Sequence, residues 1–270
     1  MTLPCLPPPP RARFRLRRAL AAAAAVTAAS AAAAAATSLA LADEAADPKA
    51  MIIARLQDIC RREMNLELGL RDVGYDVWNK KTVLDGLVLT TPPPESAAVA
   101  KADRVVVVAD LFAMGTGSVA TVDLVRVEHG TLAIDADRPP RPDKADKREA
   151  RLTALLVKDS VLTISQGRKV RVELSALEVK GKDLSAGAAG WAKGTLEGTA
   201  VARVPDHKID GAVVSFGVKL GATVELRLDG PEGGCGAERR FTMDELTSGK
   251  LDAAALLRDA VLPCPKKKGK

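Results

Sequence analysis

Apolar and polar positions follow two different periods along this chain. Over AMIIARLQDICRREM, residues 50–64, Ile52, Leu56, Ile59 and Cys60 recur at helical spacing, with Arg55, Asp58, Arg61 and Arg62 on the opposite side. That is an amphipathic helix with one face to bury. From residue 66 the period becomes two. Strands are expected at 66–73, 82–91, 104–111, 169–179, 194–204, 211–218 and 222–230, where β-branched residues dominate and Gly, Asp or Pro punctuates each run. In VDLVRVEHGTLAID, residues 122–135, Val125 and Val127 alternate with Arg126 and Glu128. His129-Gly130 then intervenes, and Leu132 and Ile134 resume the alternation. This reads as strand, tight turn, strand. TALLVKDSVLTI, residues 153–164, repeats the plan thirty residues on: Val127 falls on Val157, Gly130 on Ser160, Leu132 on Leu162 and Ile134 on Ile164. Alternating strands with short connections predict antiparallel pairing, because parallel pairs need long crossovers.

The fold class expected is therefore mainly β: a curved antiparallel β-meander or groove with an N-terminal and a C-terminal amphipathic helix. One β-rich domain is expected over residues 49–262. It comprises a helix (49–64), a first β unit (65–137), a charged Pro-rich loop (138–150), a second β unit (151–249) and a helix (250–262) that Pro263 stops. Residues 43–48 form a linker, and residues 263–270 a basic tail.

The first 42 residues belong to another category. Arg11, Arg13, Arg15, Arg17 and Arg18 precede an uncharged, Ala-rich stretch that closes on Ala40-Leu41-Ala42. This reads as a secretory signal cleaved after Ala42, and an uncleaved inner-membrane anchor is the alternative. Export places the protein in the periplasm. The charge balance changes accordingly: 40 basic against 34 acidic side chains overall becomes 31 against 34 once the leader arginines and Lys266, Lys267, Lys268 and Lys270 are set aside. With one Tyr, two Trp and no basic stripe among aromatics, nucleic acid is not an expected partner. Membrane contact is expected, if anywhere, through the N-terminal segment or the lysine tail. An oxidising compartment permits a disulfide, with Cys235 and Cys264 the expected pair and Cys60 left over on the first helix.

Reactive chemistry is sparse. His129 sits in the expected turn, and His207 lies in VPDHKID between Asp206 and Asp210, too few carboxylates for a calcium shell. GTGS at 115–118 lacks the lysine and helix start of a phosphate loop. Cys235 in GGCGAE has no histidine nearby to activate it. Ser160 and Ser165 sit in no nucleophile elbow, and Asp244-Glu245 reads as a surface or capping pair. No catalytic residue, metal or cofactor is expected.

The order of features resembles the AsmA and TamB-like envelope proteins of the repeating β-groove group. The helix ARLQDICRREM, then LELGLRDVGYDVWNKKTVLDGLVLTTPPP, then AKADRVVVVADLFAMGTGSVATVDLVRVEHGTLAID carry the likeness, over roughly residues 50–180. The resemblance implies a curved sheet whose apolar face holds phospholipid acyl chains, in lipid transport or outer-membrane assembly. Val125, Val127, Leu132, Ile134, Val157, Leu162 and Ile164 are the groove candidates. Family members repeat the unit many times, whereas about two copies are visible here, so a module or adaptor fits better than a bridge between membranes. A closed-core scaffold that binds other envelope proteins through its strand edges is the alternative.

Overall fold

The computed structural model describes residues 48–61, 65–76, 78–94, 96–109, 119–135, 149–166, 169–187, 190–232, 234–242 and 252–262. Residues 1–47, with the expected leader, the GTGS segment, the charged loop up to residue 148, Asp244-Glu245, Cys264 and the lysine tail lie outside them.

The chain is mainly β, with the two expected helices. Helix α1 spans Pro48–Ile59 and precedes β1 (Glu67–Gly69), β2 (Asp72–Asp76), β3 (Lys81–Thr90), β4 (Ala98–Val108), β5 (Val119–Glu128) and β6 (Thr131–Asp135). Then follow β7 (Glu149–Gln166), β8 (Lys169–Gly187), β9 (Gly190–Val204), a single 3-10 turn at Pro205–His207, β10 (Ile209–Leu220), β11 (Thr223–Asp229), β12 (Ala237–Thr242) and helix α2 (Ala253–Val261). All twelve strands form one sheet in the order β1-β3-β4-β5-β7-β8-β9-β10-β11-β12. β2 continues β1 along β3, and β6 continues β5 between β4 and β7.

This arrangement corrects the expected hairpin at 122–135. β5 and β6 do not pair with each other. They run end to end, antiparallel to β4 and parallel to β7. The sheet is thus mixed, with this one parallel seam in an otherwise antiparallel order. The seam matches the internal repeat: Val127 faces Val157, Leu132 faces Leu162 and Ile134 faces Ile164. The two copies lie side by side in the sheet instead of forming successive hairpins.

His129 and Gly130 make a bulge where a turn is expected. His129 has φ 50°, and its repeat partner Asp159 has φ 46°. The Gly130 N–H donates to the Ser160 hydroxyl at 3.0 Å, which itself donates to the Lys158 carbonyl at 2.8 Å. His129 N–H reaches the Lys158 carbonyl and Val161 N–H the Gly130 carbonyl, so the seam stays bonded on both sides of the irregularity. Gly86 in β3 (φ 62°) and Ala176 in β8 (φ 46°) interrupt their strands at the corresponding level.

These bulges have a common consequence. Register links Val73, Leu84, Val105, Val127, Val157, Val179, Gly198, Phe216, Leu228 and Ala237 into a row crossing the sheet. A second row runs Leu68, Leu89, Ala100, Leu132, Leu162, Leu174, Ala202, Ala212. Both rows are wholly apolar. In β3 to β8 they stand five residues apart, an odd spacing that would put them on opposite faces of a regular strand. One extra residue per strand restores the common face. In β9 and β10 the spacing is four, and no such correction is needed.

Each helix covers one flank of this face. α1 packs on β1 and β2, burying Leu56, with Cys60 just past its end. Gln57 donates to the Leu68 carbonyl, Arg61 grips Glu67 with two bonds, and Lys49 reaches Asp72. α2 packs on β8 to β12 through Leu256, Leu257 and Ala260. Asp252 caps it by accepting from the N–H groups of Ala254 and Ala255, both at 3.1 Å. The Ala260 carbonyl comes so close to Gly230 that a Cβ there would stand 2.2 Å from it. Glycine is what lets the helix seat against that turn.

Candidate functional site

Burial along the two apolar rows is uneven. In the first, Val73, Leu84 and Val105 are buried, as is Leu228 near the far end, while Val127, Val157, Val179 and Phe216 between them are half-buried. In the second, Leu68, Leu89 and Ala100 are buried on one side and Ala202 on the other, while Leu132, Leu162 and Leu174 are half-buried. The buried residues fall into two clusters, one joining α1 to β1–β5 and reaching the far ends of β7, β8, β10 and β11, the other beneath α2. Val127, Leu132 and Val157 pack against the first cluster and Ile164 and Leu174 against the second, while Ile134 and Leu162 belong to neither. The middle of the face is thus an apolar strip with cores on both sides. It spans β5/β6, β7 and β8, about 10 Å between the outer strands, and the two rows lie about 15 Å apart along them.

The seven groove candidates divide accordingly. Val125 is 0% exposed and is plain core. Val127, Leu132, Ile134, Val157, Leu162 and Ile164 are all half-buried on the strip. Val179 and Leu174 of β8 join it through register with Val157 and Leu162. The alternation of KVRVELSALEV marks those two as apolar positions of a strand, but only pairing places them beside the repeat. Phe216 closes the far side by lying over Gly198, whose ideal Cβ would stand 2.5 Å from the ring and 2.3 Å from the Glu178 carbonyl.

The polar candidates do not converge. His129 lies 3.5 Å from Asp103 at the exposed surface of the bulge. His207 ends the 3-10 turn. Its neighbour Asp206 is engaged by Lys169 and Arg171, and the Lys169 hydrogen bond, followed by that of Arg171, holds its carboxyl below the ordinary value. Asp210 faces Arg203 instead. Among the described residues no group of three or more His, Cys, Asp or Glu could hold a metal ion. Cys235 is disulfide-bonded, which removes it as a nucleophile. Its expected partner Cys264 lies outside the described residues, but the Leu262 carbonyl accepts from the Cys235 N–H at 3.2 Å. Cys60 is a free, buried thiol whose pKa burial pushes up to about 12.

The opposite face is charged. A depression of about 560 Å³ lies there around Gly217, bordered by Glu197, Lys219, Glu225, Arg227 and Arg240. Gly217 leaves a gap in the side-chain layer, since nothing lies within 4 Å of where its Cβ would be. Alternating signs, with Arg240 on Glu225 at 3.2 Å, make this an ion-pair ladder with no concentrated charge for a ligand. No helix of the described residues is long and apolar enough to cross a membrane. No family model, curated protein or solved structure matches the chain.

Proposed function

We propose that this is an exported, non-enzymatic β-groove protein that binds lipid acyl chains, working in lipid transport or outer-membrane assembly in the cell envelope. The half-buried middle of the two apolar rows carries this reading. A single sheet with one apolar face needs a cover. The helices supply it at the flanks, and the strip between keeps valine, leucine and isoleucine side chains partly open. Its dimensions suit one or two acyl chains laid along the strands. The resemblance to AsmA and TamB-like proteins points the same way, and the small size of the sheet favours a lipid-binding module or adaptor over a bridge.

Lipid extraction and mass spectrometry of gently purified protein test it. Phospholipid in stoichiometric amount is expected, as is displacement of a fluorescent fatty-acid probe by added phospholipid. Replacing Leu162, which packs in neither core cluster, by Gln should weaken the probe several-fold while the cooperative melt remains. Protein that carries no lipid and takes up no probe would overturn the reading.

A scaffold role is the second reading, favoured by the position of β12 at the edge of the sheet among the described residues. That strand ends the sheet order, and Glu238, Arg239 and Arg240 on it are exposed. A stable protein partner captured by lipid-free protein, and lost on placing proline in β12, would favour it.

A further inference from the structure

The turn joining β2 to β3 presents Trp78 to solvent at 94% exposure. The other exposed large apolar side chains of the described residues are Tyr75, Val213 and Leu262, none above 58%. The turn is braced. The Asp76 carboxylate accepts from the Asn79 backbone N–H at 3.1 Å and from the Asn79 side-chain amide at 2.6 Å, bonds that hold its carboxyl below the ordinary value. The Lys80 carbonyl accepts from the Ala109 N–H at 2.9 Å, tying the turn to the end of β4. A rigid turn that holds an indole in water gains nothing for the fold, since the ring buries almost no area.

Its surroundings indicate what the ring meets. Lys80 and Lys81 follow it, both exposed. Lys81 also begins a register row on the face away from the apolar strip: Val108, Leu124, Ala154, Lys182, Thr195, Lys219, Glu225 and Arg240. Asp76 stands opposite Lys81, and the far end of that row, Lys219, Glu225 and Arg240, belongs to the balanced ion-pair face described above. Tyr75, 37% exposed, lies beside the turn on the face of the apolar strip, in register with Thr82. A protein interface also favours aromatic anchors, but its centre is depleted in lysine. Here Lys80 and Lys81 stand directly beside the ring. An aromatic ring flanked by lysines is the composition of a membrane-interface anchor.

We infer that this end of the sheet docks on an anionic phospholipid bilayer, with the Trp78 ring entering the headgroup layer and Lys80 and Lys81 meeting lipid phosphates. Docking stands apart from acyl-chain binding on the apolar strip: each has its own residues, and either can fail alone. The test is co-flotation of the full chain with vesicles of phosphatidylcholine, with and without phosphatidylglycerol, alongside Trp fluorescence in a Trp191→Phe background. Trp78 emission should shift to the blue on anionic vesicles. Trp78→Ala should lower vesicle partitioning about tenfold, and Lys80→Gln with Lys81→Gln should lower it more than tenfold, at roughly fivefold per removed cation. Neither variant should change the melting temperature or fatty-acid probe uptake. Unshifted emission with equal flotation of wild type and Trp78→Ala would overturn the inference. So would a purified protein partner that protects Trp78 while vesicles leave it unchanged.

Discussion

The flanks and the middle of the sheet share the same two apolar rows and the same residue types, yet differ in what covers them. On the flank nearest α1, Leu68, Val73, Leu84 and Leu89 are closed from solvent. In the middle, Leu132, Val157, Leu162 and Leu174 occupy the same rows and remain partly open. Hydrophobicity therefore does not separate core from candidate groove in this molecule. The elements packed over each position do, α1 over β1 and β2 and α2 over β8 to β12. A side chain on these rows is closed core where a second layer covers it and partly exposed where none does.

The comparison breaks most sharply under truncation. Leu84→Ala, in the closed flank, should cost about 2–5 kcal/mol, because a buried leucine leaves a cavity that its neighbours only partly fill. Leu162→Ala, in the open middle, should cost about 1 kcal/mol and show its effect in lipid uptake instead. Urea unfolding of both variants measures the contrast, and equal losses would mean that the middle is closed core. Gly198→Ala probes the border. A methyl there meets the Phe216 ring and the Glu178 carbonyl, so overpacking of about 1–3 kcal/mol is expected, together with displacement of Phe216 from the strip. A chemical-shift change confined to β8–β10, with probe affinity altered, would confirm that Phe216 closes one side.

The smallest effect at neutral pH concerns Cys60, just past the end of α1. Its folded pKa of about 12 lies above the ordinary 9.0, so burial favours the neutral thiol. The linked stability is fully present below pH 9 and is lost as pH rises toward 12. Cys60→Ala should flatten that alkaline decline while leaving stability at neutral pH within the cost of a small cavity. In the wild type, alkylation of Cys60 at pH 8 should proceed only as fast as the flank opens. Rapid alkylation would show that the α1 flank is no more closed than the middle.

Much of this was legible in the alternation of residues. Period two identified most of the strands but not β12, whose AERRFT has no apolar alternation; helical spacing identified the N-terminal helix at Leu56 and Cys60, and the Ala-rich stretch before Pro263 identified the C-terminal one. The thirty-residue repeat was visible too, down to the pairs Val127 with Val157 and Leu132 with Leu162. Its meaning was not. A break in alternation at His129-Gly130 is what a tight turn produces, and a β-bulge leaves the same mark, because one extra residue shifts the parity just as a reversal interrupts it. The choice between them was made by neighbours: β4 and β7 offer hydrogen-bonding partners to both β5 and β6, and the Ser160 hydroxyl receives the Gly130 N–H. The division of seven apolar candidates into one core residue, Val125, and six half-open ones was likewise beyond the sequence. Alternation specifies which face of a strand is apolar. What lies over that face depends on elements distant in the chain, and here that means α1, α2 and the strands between them.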